Sequence, residues 1–183
     1  MLIKARCVAG DAGLAAEFLE MVQPFRYPRS LGEGARREIA AMKARLESDV
    51  VRAGELERDV KRGRGGIREI EFVVQTAQLL NAGRIPFLQG AQTLPLLQKL
   101  AEYRLLTDAE SLSLAGAYCF LRAVEHRLQM ENNLQTHTIP ADAKSRAWLA
   151  AVMGFATPAD FEAGLKRHTR FVRATYEKFL KVE

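Results

Sequence analysis

Cysteine is scarce in the sequence, and its two thiols are isolated from each other. Only Cys7 and Cys119 are present among 183 residues, and neither belongs to a CxxC pair. This spacing is typical of two buried free thiols in a reducing cytosol, with a disulfide or a catalytic thiol as the alternatives. A chain of this length can bury a sufficient core without disulfides or metals.

Long apolar runs are also missing. No stretch approaches the roughly 20 consecutive apolar residues that a membrane span needs, which excludes a transmembrane protein. Residues 1–6 contain neither an apolar segment nor a cleavage-like site, so we expect no signal peptide and a cytoplasmic location. Glycine and proline are few, with 13 and 6 residues, which argues against collagen-like or linker-like chains.

Strand-like alternation of β-branched and polar residues is nearly absent, and most of the sequence repeats at the helical period. We therefore predict an all-α fold, a multi-helix bundle of about six to seven helices. A short irregular or strand segment with a glycine turn interrupts it near residues 57–66. A strand at Val60 would have an unpaired edge.

Capping residues and apolar spacing place the predicted helices. Residues 2–9 end a first helix at Gly10, and a second begins at the N-cap Asp11 and ends at Pro24. The remaining predicted helices cover residues 33–53, residues 67–80 with Gly83 as C′ residue, a short segment capped by Thr93, a segment from a Thr107–Glu110 capping box to about residue 130, a segment from Pro140 to Gly154, and a last one opened by a Thr157–Asp160 box.

Positive charge is concentrated around a glycine-rich segment. The net charge is +5, which permits anionic partners without demanding them. Within residues 57–66 three glycines occur in four positions, and such a turn at a helix N-terminus favours phosphate through backbone N–H groups and partial positive charge. The cationic side chains around it are Lys61, Arg62, Arg64 and Arg68. The alternative is a tight strand-to-helix turn with a solvated basic rim, and no Walker motif is present.

Two predicted helices carry a narrow polar stripe between apolar flanks. The stripes are Arg68, Glu71, Gln75 and Gln78 on one helix, and Arg122, Glu125 and Gln129 on the other. Because buried polar groups need hydrogen bonds, each stripe must face a cleft, a partner or a polar network. A structural network is favoured for the second stripe, while the first fits a structural clasp or a substrate contact equally well. The three histidines have no metal-ligand spacing, so we predict no metal site.

The sequence DVKRGRGGIREIEFVVQ, at residues 59–75, resembles a motif of the glutamine synthetase adenylyltransferase/adenylyl-removing enzymes. The resemblance continues in LIKARCVAGD (2–11), PFRYP (24–28), LRAVEHRLQ (121–129) and QTHTIP (135–140), so it covers nearly the whole chain. This family is built from two nucleotidyltransferase halves, each followed by a helical domain. The segments GGIREIEF and QTHTIP are similar to the first half, to which adenylyl removal is assigned.

The resemblance implies a fragment of that enzyme. Residues 1–60 would be the C-terminal tail of a nucleotidyltransferase domain, and residues 61–183 the helical domain that follows. The family's metal-binding carboxylates lie in Gly-Ser or Gly-Asp and Asp-x-Asp segments that this chain lacks, and Asp59 stands alone. Because nucleotidyl transfer relies on metal ions that bridge the phosphates, we expect no catalytic residue in this chain and no activity from it alone. Mg²⁺ and ATP, ADP or phosphate would act in the intact enzyme, with none bound tightly here.

The resemblance also implies roles for individual side chains. Lys61, Arg64 and the amides around Gly65 and Gly66 would contact phosphates or the adenylylated tyrosine of the target. Arg68 would brace Glu71, and Glu69 would hold a neighbouring loop or a metal-bound water. The residues expected near nucleotide or phosphate are thus Lys61, Arg64, Gly65, Gly66, Arg68 and Glu69. Those expected in the structural polar network are Glu71, Gln75, Arg122 and Glu125.

The implied partners are glutamine synthetase, the upstream nucleotidyltransferase domain of the same chain and, as a further candidate, a PII signalling protein. One alternative is a non-catalytic helical module that docks glutamine synthetase or PII. A lesser alternative is a helical domain related to the uridylyltransferases. The sequence has no helix-turn-helix motif and no interleaving of basic and aromatic residues, which argues against nucleic acid despite a pI of about 9.4.

Overall fold

The computed structural model of the chain describes residues 2–29, 41, 56–132 and 135–180. These residues form six α-helices, two single turns of 3-10 helix and no strand, so the predicted all-α fold is confirmed. The helices are α1 (Ala12–Arg26), α2 (Ile67–Asn81), α3 (Thr93–Glu102), α4 (Asp108–Asn132), α5 (Ala143–Val152) and α6 (Pro158–Leu180). Within this described part, no helix has the length and apolar character to cross a membrane.

Local capping chemistry sets the start of several helices, as predicted. The Asp11 side chain accepts a hydrogen bond from the Leu14 N–H at 2.7 Å and caps α1. At the start of α4 the Thr107 N–H donates to Glu110 Oε2 at 2.9 Å, and the Glu110 N–H donates to Thr107 Oγ1 at 3.2 Å. This reciprocal pair is the predicted capping box, and it satisfies two amides that the first helical turn leaves free.

Four predicted helix boundaries are wrong. The helix predicted to start at Pro140 begins at Ala143, because the side chain of Asp142 caps it. Residues 2–9 contain a turn rather than the end of a helix. Pro24 lies inside α1, because the Tyr27 N–H still bonds to the Gln23 carbonyl at 3.0 Å and the helix continues to Arg26. The N-cap of α3 is Gln92 rather than Thr93, which is already helical. The helix predicted over residues 33–53 lies outside the described residues, apart from residue 41.

Gly83 lies at the predicted C′ position, two residues after α2 ends at Asn81, but its φ is not positive, so it does not form a left-handed cap. Its backbone instead comes so close to another segment that a Cβ atom would lie 2.2 Å from the Pro28 carbonyl oxygen. The two cysteines also differ from the prediction, because both thiols are free but exposed rather than buried. Glycine at position 83 is therefore required by a long-range contact, which local sequence does not reveal.

The chain divides into two compact units, residues 1–43 with 73–111 and residues 44–72 with 112–183. In the first unit the Gln78 amide is buried and donates to the Leu88 carbonyl at 2.7 Å and the Gly90 carbonyl at 2.9 Å. These bonds stabilise the 3-10 turn after α2, because buried carbonyl groups without a donor would destabilise the fold. The boundary at residue 60, implied by the resemblance, stays a prediction.

The second unit has a core shared by its helices. Phe72 of α2 and Tyr176 of α6 pack edge to face, with ring centroids 5.7 Å apart. The fully buried face of α4 and its neighbours is formed by Ile67, Ile70, Leu114, Leu121, Val124, Phe161 and Val172. This core fixes the first turn of α2 against α4 and α6, and therefore positions the basic glycine-rich segment that precedes α2.

Candidate functional site

The glycine turn, residues 59–66, is closed by the side chain and the carbonyl of Asp59. Asp59 Oδ1 accepts hydrogen bonds from the Lys61 and Arg62 N–H groups, both at 2.8 Å. The Gly63 N–H donates to the Asp59 carbonyl at 2.9 Å, and the Gly66 N–H donates to the Gly63 carbonyl at 2.9 Å. A carboxylate that bonds amides two and three residues ahead is a local turn former. Asp59 therefore has a structural task that uses one of its carboxylate oxygens.

The segment before the turn is paired, contrary to the expectation of an unpaired strand edge at Val60. Asp59 forms an isolated antiparallel bridge with Thr138. The Val60 N–H donates to the His137 carbonyl and the Ile139 N–H donates to the Arg58 carbonyl, both at 2.9 Å. The sequence QTHTIP thus supplies the backbone partner of the glycine-turn motif, which joins two of the motifs on which the family resemblance rests.

The amides where the turn enters α2 already have acceptors within the protein. The Gly65 N–H donates to Glu69 Oε2 at 2.9 Å. The first amides of the helix, those of Ile67 and Arg68, donate to the Val60 and Lys61 carbonyls at 3.0 Å. Helix N-termini bind phosphate through free N–H groups, and here these groups are occupied. Any anion at this turn must be bound mainly by side chains.

The turn lies directly on α6. Gly65 has a φ of +73°, and a Cβ there would lie 2.0 Å from the Thr169 carbonyl oxygen. A Cβ on Gly66 would lie 2.8 Å from three carbonyl oxygens of the turn itself. Both glycines are therefore required by close backbone contacts, and Gly65 also by its left-handed conformation.

An ion pair fastens the start of α2 to α6. Arg173 Nη1 lies 2.8 Å from Glu69 Oε1, and Arg173 Nε lies 2.6 Å from Glu177 Oε1. Burial raises the pKa of Glu69 above its ordinary value, although the Arg173 guanidinium and the Gly65 N–H both act to lower it. Burial acts to lower the pKa of Arg173, but the two glutamates together raise it above its ordinary value. Glu69 is thus a positioning residue held between the turn and α6.

Glu69→Gln is expected to change how stability depends on pH. The raised pKa of Glu69 means that the folded state keeps a proton that the unfolded state releases near the ordinary value of 4.5. The contribution of Glu69 to stability is therefore present at low pH and lost as pH rises through the folded-state pKa. The wild-type free energy of unfolding, relative to the variant, should fall as pH rises above the ordinary Glu pKa of 4.5, in urea titrations followed by circular dichroism. If the wild-type free energy of unfolding instead rises relative to the variant over this range, the ion pair with Arg173 affects the pKa of Glu69 more than burial does.

The Glu125 cluster comprises Glu125 on α4 with Lys61, Arg122 and His137. The Glu125 carboxylate is buried, Arg122 Nη1 is bonded to its Oε2, and Lys61 Nζ lies 3.3 Å from its Oε1. His137 Nδ1 lies 3.1 Å from the same Oε1 but not at a hydrogen-bonding angle, and this buried nitrogen has no hydrogen-bond partner among the described residues. Lys61, predicted near phosphate, is therefore directed to a buried carboxylate.

The other candidate side chains lie in several places. Arg62, Arg64 and Arg68 are exposed, whereas Glu71 and Gln75 are half-buried on α2. The residues missed by sequence reasoning are Lys166, Thr169 and Arg173 of α6 and His137 of the loop after α4. The sequence signal for Lys166 and Arg173 is the spacing of basic residues at 166, 170 and 173 on one face of α6, and the signal for His137 is its place in the QTHTIP segment.

The described residues do not fit a Mg²⁺ site. Mg²⁺ prefers carboxylate and water ligands, and three carboxylates that contact residues of the turn already have other partners. Asp59 bonds turn amides, Glu69 pairs with Arg173, and Glu125 is surrounded by cationic side chains. In the described ranges no group of three or more His, Cys, Asp or Glu side chains could hold a metal ion.

Comparison with known proteins finds one matching family model and many similar relatives. The family model described as GlnD PII-uridylyltransferase matches residues 35–180. Three similar relatives are each named bifunctional glutamine synthetase adenylyltransferase/adenylyl-removing enzyme. The protein of Nitrosococcus oceani is 40% identical over 97% of this chain, that of Brucella melitensis 42% over 87%, and that of Xanthomonas campestris 40% over 97%.

The chain spans only 16% to 19% of the length of these three relatives. The match includes the glycine turn, the QTHTIP segment and the helices that hold them, because the aligned regions cover 87% to 97% of the chain. The chain belongs to the GlnD PII-uridylyltransferase family, and its sequence is similar to a segment of the bifunctional glutamine synthetase adenylyltransferase/adenylyl-removing enzymes.

Proposed function

We propose that this chain is a helical module that borders the nucleotidyltransferase active site of an enzyme that adenylylates and de-adenylylates glutamine synthetase. It belongs to the first, adenylyl-removing half and is inactive alone, with Mg²⁺ and nucleotide bound through carboxylates outside this chain. The observation that carries the proposal is the rigidly held glycine turn, which presents the exposed side chains of Arg64 and Arg68 next to the start of α2.

The phosphate-proximal set of Lys61, Arg64, Gly65, Gly66, Arg68 and Glu69 takes different roles within this proposal. Arg64 and Arg68 supply positive charge to the phosphate of nucleotide or of adenylylated target. Glu69 and the two glycines hold the turn in place, since the Gly65 N–H bonds to Glu69 and the Gly66 N–H bonds to Gly63. Lys61 joins the turn to the Glu125 cluster. Guanidinium groups suit this task because they stay charged and bind phosphate oxygens in pairs.

Charge reversal tests the proposal in a full-length enzyme that contains this chain. Arg64→Glu and Arg68→Glu should each lower the rate of adenylyl removal from adenylylated glutamine synthetase by about 10- to 100-fold, because a charge-assisted hydrogen bond contributes about 1.5–3 kcal/mol. Lys144→Glu is the matched control, since Lys144 is exposed on α5 and no contact of its side chain is described. It should leave the rate within about twofold.

A second candidate, a docking module for glutamine synthetase or PII, is favoured by one face of α1 in the first unit. Leu14, Phe18, Met21 and Phe25 are large apolar residues at helical spacing, and all four are exposed. Exposed apolar surface of this kind marks interaction sites. If both arginine reversals leave the turnover unchanged while the isolated chain still binds glutamine synthetase, the docking role replaces the active-site role.

A further inference from the structure

A cleft of about 320 Å³ lies in the second unit between the glycine turn and α6. Its size is at the lower end of the range for small-molecule sites. Five of its lining residues are apolar: Val60, Ile139 and Phe161 are almost fully buried, whereas Pro158 and Leu165 are more exposed. An apolar group in the cleft would therefore lose contact with water mainly against Pro158 and Leu165.

Most charged groups around the cleft already have partners. Arg146 Nη1 lies 2.7 Å from Glu162 Oε1, and its Nε donates to the Pro140 carbonyl at 2.8 Å. Arg58 donates to the Ile139 carbonyl at 3.2 Å, and the Asp59 carboxylate accepts from the turn amides. These groups hold the walls of the cleft rather than a ligand.

Two lining cations are left for a ligand. Arg64 comes from the glycine turn and Lys166 from α6, both are exposed, and no described carboxylate lies within ion-pair distance of either. Among the other lining charges, Arg58 and Asp59 are hydrogen-bonded to backbone groups and Glu57 has no described partner, so the charges without a described partner are two positive and one negative. This excess of positive charge favours an anion over a neutral or cationic ligand.

The walls that carry the two cations are fixed relative to each other. The backbone of Gly65 rests against the Thr169 carbonyl, and Glu69 pairs with Arg173 at 2.8 Å. Arg64 directly precedes Gly65, and Lys166 lies one helical turn before Thr169. The backbones that carry both side chains are thus held in place before a ligand arrives, which reduces the entropy that binding would cost.

We propose that this cleft binds an organic monophosphate ester. The phosphate lies between Arg64 and Lys166, and the apolar group of the ester lies against Leu165. The phosphate can contact both cations, and the attached group can use the apolar surface of the cleft, which inorganic phosphate cannot use. The proposal rests on the proposed function for the phosphate contact of Arg64, and adds Lys166 and the cleft as the determinants of which organic phosphate binds here.

Calorimetric titration of the chain tests this assignment with adenosine 5′-monophosphate, inorganic phosphate and adenosine as probes. We expect saturable binding of the monophosphate ester, with inorganic phosphate and adenosine each at least about tenfold weaker. Lys166→Ala and Leu165→Ala should each weaken the ester by about tenfold or more. Arg170→Ala is the matched control, because Arg170 is an exposed cation one turn further along α6 that does not line the cleft. It should change the affinity less than about twofold.

Three results would overturn the assignment: no binding of the ester, equal binding of ester and inorganic phosphate, or equal effects of Lys166→Ala and Arg170→Ala. Circular dichroism of each variant separates loss of binding from loss of fold. Arg68 does not line the cleft, so its charge reversal separates the two proposals. If the Arg68→Glu enzyme is slow and the chain binds no ester, the active-site role is supported and the ester site is refuted. If the chain binds ester in a way that depends on Lys166, and both arginine reversals turn over normally, the ester site is supported and the active-site role is refuted.

Discussion

Gly65→Ala is expected to lower the free energy of unfolding by about 3 kcal/mol or more, one of the two largest effects we predict. The added methyl carbon would lie 2.0 Å from the Thr169 carbonyl oxygen and 2.6 Å from its carbonyl carbon. Both are backbone atoms of α6, so no side-chain rotation relieves the overlap. The φ of +73° adds a further cost of about 1–2 kcal/mol for a residue with a Cβ. Relief requires the turn to separate from α6, which would also pull Glu69 from Arg173.

Gly116→Ala is the matched control for this substitution. Gly116 is exposed within α4, and a Cβ there would meet nothing within 4 Å. Alanine should stabilise the helix at this position by about 0.5–1 kcal/mol, because glycine has a low helix propensity. Urea unfolding followed by circular dichroism compares the two variants. A Gly65→Ala loss of less than about 1 kcal/mol would contradict the close contact between the turn and α6.

The parts of the fold that depend on neighbouring residues could be predicted from sequence. The Thr107–Glu110 box begins α4 as expected, because both of its hydrogen bonds join residues three apart. Asp11 caps α1 for the same reason. The role of Gly83 could not be predicted, since it depends on the Pro28 backbone, 55 residues away in sequence. Helix ends fixed by local capping are thus accessible to sequence reasoning, and close long-range packing is not.

In the candidate site too, local features could be predicted from the sequence and long-range contacts could not. The glycine turn and its basic side chains are evident in the sequence, and a residue like Asp59 is a recognisable turn former. The acceptors of the turn amides could be predicted only in part from the sequence. Glu69 lies four residues from Gly65, but the orientation of its side chain depends on Arg173, 104 residues later. The stripe of Arg122 and Glu125 is visible on α4, while Lys61 and His137 reach it only through the tertiary fold.

Glu125→Ala is the second substitution for which we expect a large loss, about 2–3 kcal/mol in the free energy of unfolding. The side chain of Glu125 is 2% exposed, and its removal leaves a cavity and deprives the cationic side chains of Lys61 and Arg122 of their common ion-pair partner. The loss stays below that of a fully buried pair, because the side chains of Lys61 and Arg122 are 39% and 38% exposed and water can solvate them in the variant.

Two further variants separate charge from packing in this loss. Glu125→Gln keeps the volume and one acceptor oxygen, so it should cost less than Glu125→Ala but more than a surface ion pair. Glu162→Ala is the reference for a surface ion pair, because Glu162 is 40% exposed and pairs with Arg146; it should cost less than about 1 kcal/mol. Urea titrations at one pH and one salt concentration give all three values. If Glu125→Ala is no more costly than Glu162→Ala, the Glu125 cluster does not stabilise the fold, and its buried carboxylate then has to be explained by a contact outside this chain.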